Sequence, residues 1–177
     1  MNTCLRHGVI GGALIAILLF APFFLFGARP EWMKVGEIVG YASMFLCMSC
    51  TYLAMRREAA RRGGLGFGTA LAIGAGTSLV AGLLFGLATW LFYALVGAAL
   101  PEALIAFYAG QIRDSGAAPA TIAAQLQELE AMRPFFYNHP LQAAVMAATV
   151  FLIGLLISVP SAVLVSRSKP AGTAIAQ

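Results

Sequence analysis

Two thiols stand three residues apart in Cys47-Met48-Ser49-Cys50, with Met44 beside them. On a helix the i, i+3 spacing puts both sulfurs on one side, and thiolate with thioether donors is the set that suits copper(I). A C-x-x-C pair also suits thiol exchange, and membrane enzymes that make disulfides have four spans and about this size. Those enzymes need a second cysteine pair in an outer loop, and the connection 101–140 holds no cysteine. The pair also falls in the half of its apolar run nearer a reducing compartment. Cysteine and methionine are ordinary fillers of apolar helices, so packing is the role expected of Cys47 and Cys50. Cys4 is solitary and is expected on the cytosolic side.

The remaining candidates are sparse. His7 and His139 are expected on opposite sides of a bilayer, where they cannot share a metal. Glu37 is the single carboxylate near the inside of a span, and Lys34 one turn earlier pairs with it most simply at the membrane boundary. Small multidrug exporters also have four spans, but they use a carboxylate within the first helix, and residues 9–26 contain none. No Ser-His-Asp set, H-E-x-x-H, phosphate loop or pair of catalytic carboxylates is present. The sequence therefore predicts no catalytic, cofactor-binding or metal-binding residues, and a protein that is not an enzyme.

The elements around these residues are set by composition. The 177 residues are 60% hydrophobic and 10% charged, with mean hydropathy +0.86, whereas about a quarter of a soluble domain is charged. A helix needs roughly 20 apolar residues to cross a hydrocarbon core of about 30 Å. Four runs qualify, at about 9–27, 35–55, 67–100 and 141–165. They lack the period-2 alternation of a membrane barrel. The expected fold is all-α: a polytopic membrane protein with four transmembrane helices in one domain over 1–168, and a disordered tail at 169–177. The first run is read as a retained helix, because no small-x-small cleavage pattern follows it. The third, about 50 Å long as a helix, is expected to tilt or to project.

The connection 101–140 carries two amphipathic stripes, Leu104-Tyr108-Ile112 and Ile122-Leu126-Leu129, separated by Asp114-Ser115-Gly116. Two short amphipathic helices follow from it, with Pro119 in a first turn and Pro134 as a stop. Phe135, Phe136 and Tyr137 then form an interfacial anchor before the fourth span, which Pro140 opens with Asn138 or His139 near its cap.

Orientation follows from the Lys and Arg residues that flank the spans. The side with both termini and the second connection holds Arg6, Arg56, Arg57, Arg61, Arg62, Arg167 and Lys169 against Glu58, a balance of +6. The other side holds four cations against six acids, a balance of −2. Both termini are therefore expected to be cytoplasmic. The cluster Arg56, Arg57, Arg61 and Arg62 is read as a topology determinant that touches anionic headgroups. Because the basic excess is explained by sidedness, no nucleic-acid partner is expected. Glycines four apart, above all Gly36 with Gly40 and Gly82 with Gly86, mark close helix packing, within the fold or between protomers. Pro160 is expected to kink the fourth helix, with Ser158 or Ser161 bonding the carbonyl it frees.

The whole pattern resembles the bacterial membrane proteins grouped as DUF4199. The matching features are His7-Gly8-Val9-Ile10-Gly11-Gly12, the basic turn into Gly63-Gly64-Leu65-Gly66-Phe67-Gly68-Thr69-Ala70, a long third span, a polar helical insertion ending in Pro134, and Gly154-Leu155-Leu156-Ile157-Ser158. The resemblance covers about residues 5–168. It implies four spans and a bacterial inner-membrane address, and it carries over no activity and no catalytic residues. The function expected is that of a non-enzymatic inner-membrane protein without cofactors, acting through lipids, a second copy or another membrane protein. The alternative is a small transporter or channel component working as an oligomer.

Overall fold

The computed structural model describes residues 3–27 and 30–167, without the side chains of 26, 30–37 and 46–48. Within them the chain forms seven helices: α1 (Thr3–Phe26), α2 (Pro30–Arg62), α3 (Phe67–Val96), α4 (Ala99–Arg113), α5 (Pro119–Ala131), α6 (Arg133–Tyr137) and α7 (His139–Arg167). Four of them, α1, α2, α3 and α7, are long and apolar enough to cross a membrane. No strand forms among the described residues.

What surrounds these helices is written on their outer faces. Leu83, Leu95, Leu152, Leu156 and Leu164 are each at least 60% exposed, while Thr51, Ser78 and Ser158 are fully buried. A surface as apolar as the core is tolerated only where the solvent is itself apolar. The buried hydroxyls of α3 and α7 cause no conflict where they fold back on their own helix. Thr77 donates to Ile73 O at 2.8 Å, Ser78 to Gly74 O at 2.9 Å and Ser158 to Gly154 O at 2.6 Å.

Helix α3 packs against α7 most extensively, and also against α1 and α2, whereas the backbones of α1 and α7 do not come close to each other among the described residues. Glycines bring the backbones together. A Cβ on Gly8 would lie 2.6 Å from Val80 Cβ, and one on Gly12 would lie 2.7 Å from Ala81 O. These contacts advance together along both helices, so α1 and α3 run parallel. On the other side of α3, a Cβ on Gly82 would lie 2.6 Å from Ala147 O, and one on Gly86 would lie 2.9 Å from Ala143 O. Here the partner's numbers fall as those of α3 rise, so α7 is antiparallel. Ile15, Met44, Phe85 and Val150 meet in the buried centre.

Several expected boundaries move. The third apolar run does not stay one helix to Leu100: Gly97 takes φ 63° and donates its N–H to Tyr93 O at 2.9 Å, closing α3 at Val96. Leu100 belongs to α4. Helix α2 continues through the basic cluster to Arg62, where Gly63 at φ 71° and Gly64 at φ 127° turn the chain, with Gly64 N–H bonding Ala59 O. Pro119 does open α5, but Pro134 lies in the first turn of α6 instead of ending the segment. Asn138 caps α7: its Oδ1 accepts from Leu141 N–H at 3.1 Å. The segment 169–177 lies outside the described residues.

Candidate functional site

Helices α4, α5 and α6 form a cap over one end of the four long helices. Beneath it lies a cavity of about 450 Å³. Its walls come from all four long helices and α4, with Phe20 and Phe23 from α1, Tyr41 from α2, Phe92 and Tyr93 from α3, and Leu104 among those from α4. Phe20 stacks on Phe92 at 4.3 Å between ring centroids, and Phe23 meets Phe92 edge-on at 5.2 Å. The threonines in the wall offer little polarity. Thr89 donates to Phe85 O at 2.9 Å and Thr149 to Val145 O at 2.8 Å. The lining is therefore an aromatic and aliphatic surface suited to an apolar guest.

The cap is fastened by one ionic cluster. Arg133 presents two nitrogens to Glu130, at 2.6 and 3.2 Å, and a third to Glu102 at 3.2 Å; Tyr137 donates its hydroxyl to the same Glu102. This joins α4, α5 and α6. The hydrogen bonds from Arg133 hold the Glu130 carboxyl below the usual carboxylate range, and donation to Glu102 holds the Tyr137 hydroxyl above the usual phenol range. Glu130, with its lowered value, stabilises the fold fully above the ordinary carboxylate pKa and ceases to do so as pH falls from there through its own lowered value. Tyr137, with its raised value, stabilises below the ordinary phenol pKa and ceases to do so as pH rises through its own. Because the groups are largely exposed, the effect is modest and salt-sensitive. Amide exchange in 119–137, corrected for intrinsic rates, is expected to speed up at both extremes while that of α3 does not. Unchanged protection of the cap in acid and alkali would show that the cluster does not hold it.

The opposite end is basic. The starts of α1 and α3 and the ends of α2 and α7 gather there, with Arg6, Arg56, Arg57, Arg61, Arg62 and Arg167. Glu58 is buried among them, accepting from Arg62 Nε at 2.7 Å, Arg61 at 3.3 Å and Thr3 Oγ1 at 2.9 Å, which ties the start of α1 to the end of α2. Arg56 lies 5.9 Å from the centre of the Tyr52 ring. Arg56 and Arg57 flank a shallow cleft with His7 and Leu53.

The other sequence-predicted residues are placed as follows. Gly82 and Gly86 face α7, and Gly40 faces Leu19, whose Cδ1 would lie 2.8 Å from an added Cβ; the packing of Gly36 and the side chains of Glu37 and Cys47 lie outside the described residues. Cys50 is a free, half-buried thiol. Phe136 is buried against Tyr108, with Phe135 half-buried beside it and Tyr137 exposed. Around Pro160, Ser161 bonds Ile157 O and Ser158 bonds Gly154 O, so neither serine takes the Leu156 carbonyl that proline frees. His7 bonds Thr3 O and His139 lies against Tyr93, at opposite ends of the molecule. Among the described residues no three of His, Cys, Asp or Glu converge as metal ligands.

The sequence reading missed the cavity, the burial of Glu58 and the close packing at Gly74. A signal for the first existed in the aromatic spacing of Phe20 and Phe23 with Phe85 and Phe92, which marks an α1–α3 seam. No curated protein and no solved structure matches the chain. A family model, described as protein of unknown function (DUF4199), matches residues 6–167, and the chain belongs to that family.

Proposed function

We propose that this is a non-enzymatic, multi-pass protein of the bacterial inner membrane, a four-helix bundle with both termini cytoplasmic, which acts through lipids. The observation that carries the reading is the sorting of charge between the two ends. Six arginines share the basic end with Glu58 alone, while the cap carries Glu102, Asp114, Glu128 and Glu130 against Arg113 and Arg133. Short flanking segments rich in Arg stay cytoplasmic, and cations at that level attract anionic headgroups. The cleft between Arg56 and Arg57 is suitably placed for such a headgroup.

Packing rather than chemistry accounts for the polar atoms inside the spans, since Thr77, Ser78, Thr89 and Ser158 are engaged with carbonyls of their own helices. For the same reason a transporter or channel reading gains no support from the interior. Topology reporters fused after Arg62 and after Ser115 test the proposal. The first is expected to report the cytoplasm and the second the opposite side. Signals from one common side would overturn it.

A further inference from the structure

We infer that the cavity beneath the cap is a binding site for one hydrocarbon chain of a lipid from the leaflet on the cap side. The inference rests on the membrane reading above and names the ligand class. Its volume of about 450 Å³ falls in the range of about 300–1,000 Å³ typical of small-molecule sites. The cavity is half open to its surroundings and mainly apolar, and left empty it would deprive its wall atoms of dispersion contacts on one side. In a bilayer the medium at hand to fill it is hydrocarbon.

The depth agrees with a chain from one leaflet. The deepest lining residue on α3 is Thr89, and from there to the end of the helix at Val96 is about 10 Å, within the half of a hydrocarbon core of about 30 Å that belongs to one leaflet. Above that level stand Tyr93, paired with His139 at 5.3 Å, and α4. The aromatic part of the wall is already fixed, since Phe20, Phe23 and Phe92 hold one another by ring contacts, so it loses little freedom when a flexible chain lies beside it.

The test is photolabelling of the full-length protein in vesicles. One preparation contains a diacyl phosphatidylethanolamine with a diazirine in the chain, and a second contains a free fatty acid with the same group. The lipid is expected to label peptides from α3 and α7 that carry Thr89 and Met146, in addition to the outward-facing Leu83 and Leu152, which serve as the membrane control. V145W and L104W add an indole to the lining from two different helices. Each is expected to lose most of the Thr89 and Met146 label while retaining that of Leu83 and Leu152. Using two helices guards against one variant failing to fold. Labelling at Thr89 and Met146 from the fatty acid alone would overturn the lipid assignment. Label there that is absent in wild type, or that survives both indoles, would overturn the site itself. Loss of label at Leu83 and Leu152 in wild type would instead sink the membrane reading.

Discussion

Replacing Gly74 with leucine is expected to abolish assembly of the four long helices. Gly74 is the point where α2, α3 and α7 converge. A Cβ there would meet the side chain of Met55 from α2 and would lie 2.8 Å from Ser158 Cβ on α7. Neither neighbour has room to move. Met55 and Ser158 are both completely buried, and the Ser158 hydroxyl is already committed to Gly154 O at 2.6 Å. Overpacking a tight core costs about 1–3 kcal/mol, and more when several atoms are added. Native stability totals only about 5–15 kcal/mol. Leucine adds four carbons at a junction of three helices, so a loss at or beyond the top of the overpacking range is expected. The detergent-purified G74L protein should elute as aggregate, or melt far below wild type. Gly110 in α4 is the control, because nothing lies within 4 Å of an added Cβ. There G110A should raise stability by up to about 1 kcal/mol through helix propensity alone. A G74L protein that melts with wild type would show that the three helices do not meet as closely as this packing requires.

Gly74 also shows where sequence reading stops. The apolar runs were legible because length and polarity alone decide whether a helix can cross hydrocarbon. Local chemistry was legible too: Pro119 at the start of α5, the break at Asp114-Ser115-Gly116, and Asn138 capping α7 all depend on neighbours in the chain. Small-residue spacing pointed to Gly82 and Gly86, although Gly64 and Gly68, with the same four-residue spacing, have nothing within 4 Å of an added Cβ. Gly74 has no glycine four residues away to mark it, and its importance comes from Met55 and Ser158, which are remote in sequence. Gly97 was hidden for a different reason. It lies inside an unbroken apolar run, so nothing in the polarity pattern separates the end of α3 from the start of α4. The cavity is the extreme case, since five helices must be in place before it exists.

Glu58 followed the same rule. In the sequence it is one acid among four arginines, yet Thr3 and the fold of α1 onto α2 bury it. That burial matters for the second large effect, on orientation. Sidedness is set by Lys and Arg near the ends of the spans, with acids contributing little. The sequence places seven cations on the basic side and four on the cap side. Changing Arg56, Arg57, Arg61 and Arg62 together to glutamine leaves three against four, so the bias disappears and a mixture of orientations is expected. R56Q/R57Q leaves five against four and keeps the pairs of Arg61 and Arg62 with Glu58. It should retain one orientation, or nearly so. Paired reporters after Arg62 and Ser115 read the outcome: wild type gives one signal at each position, the double variant follows wild type, and the quadruple variant gives both signals at both positions. Because R61Q/R62Q removes the partners of Glu58 while leaving the same cation count as R56Q/R57Q, it separates charge counting from local structure. If that pair alone scrambled the orientation, the buried Glu58 cluster joining α1 to α2 would be the determinant. If the quadruple variant kept a single orientation, the arginines would owe their presence to headgroup binding and not to topology.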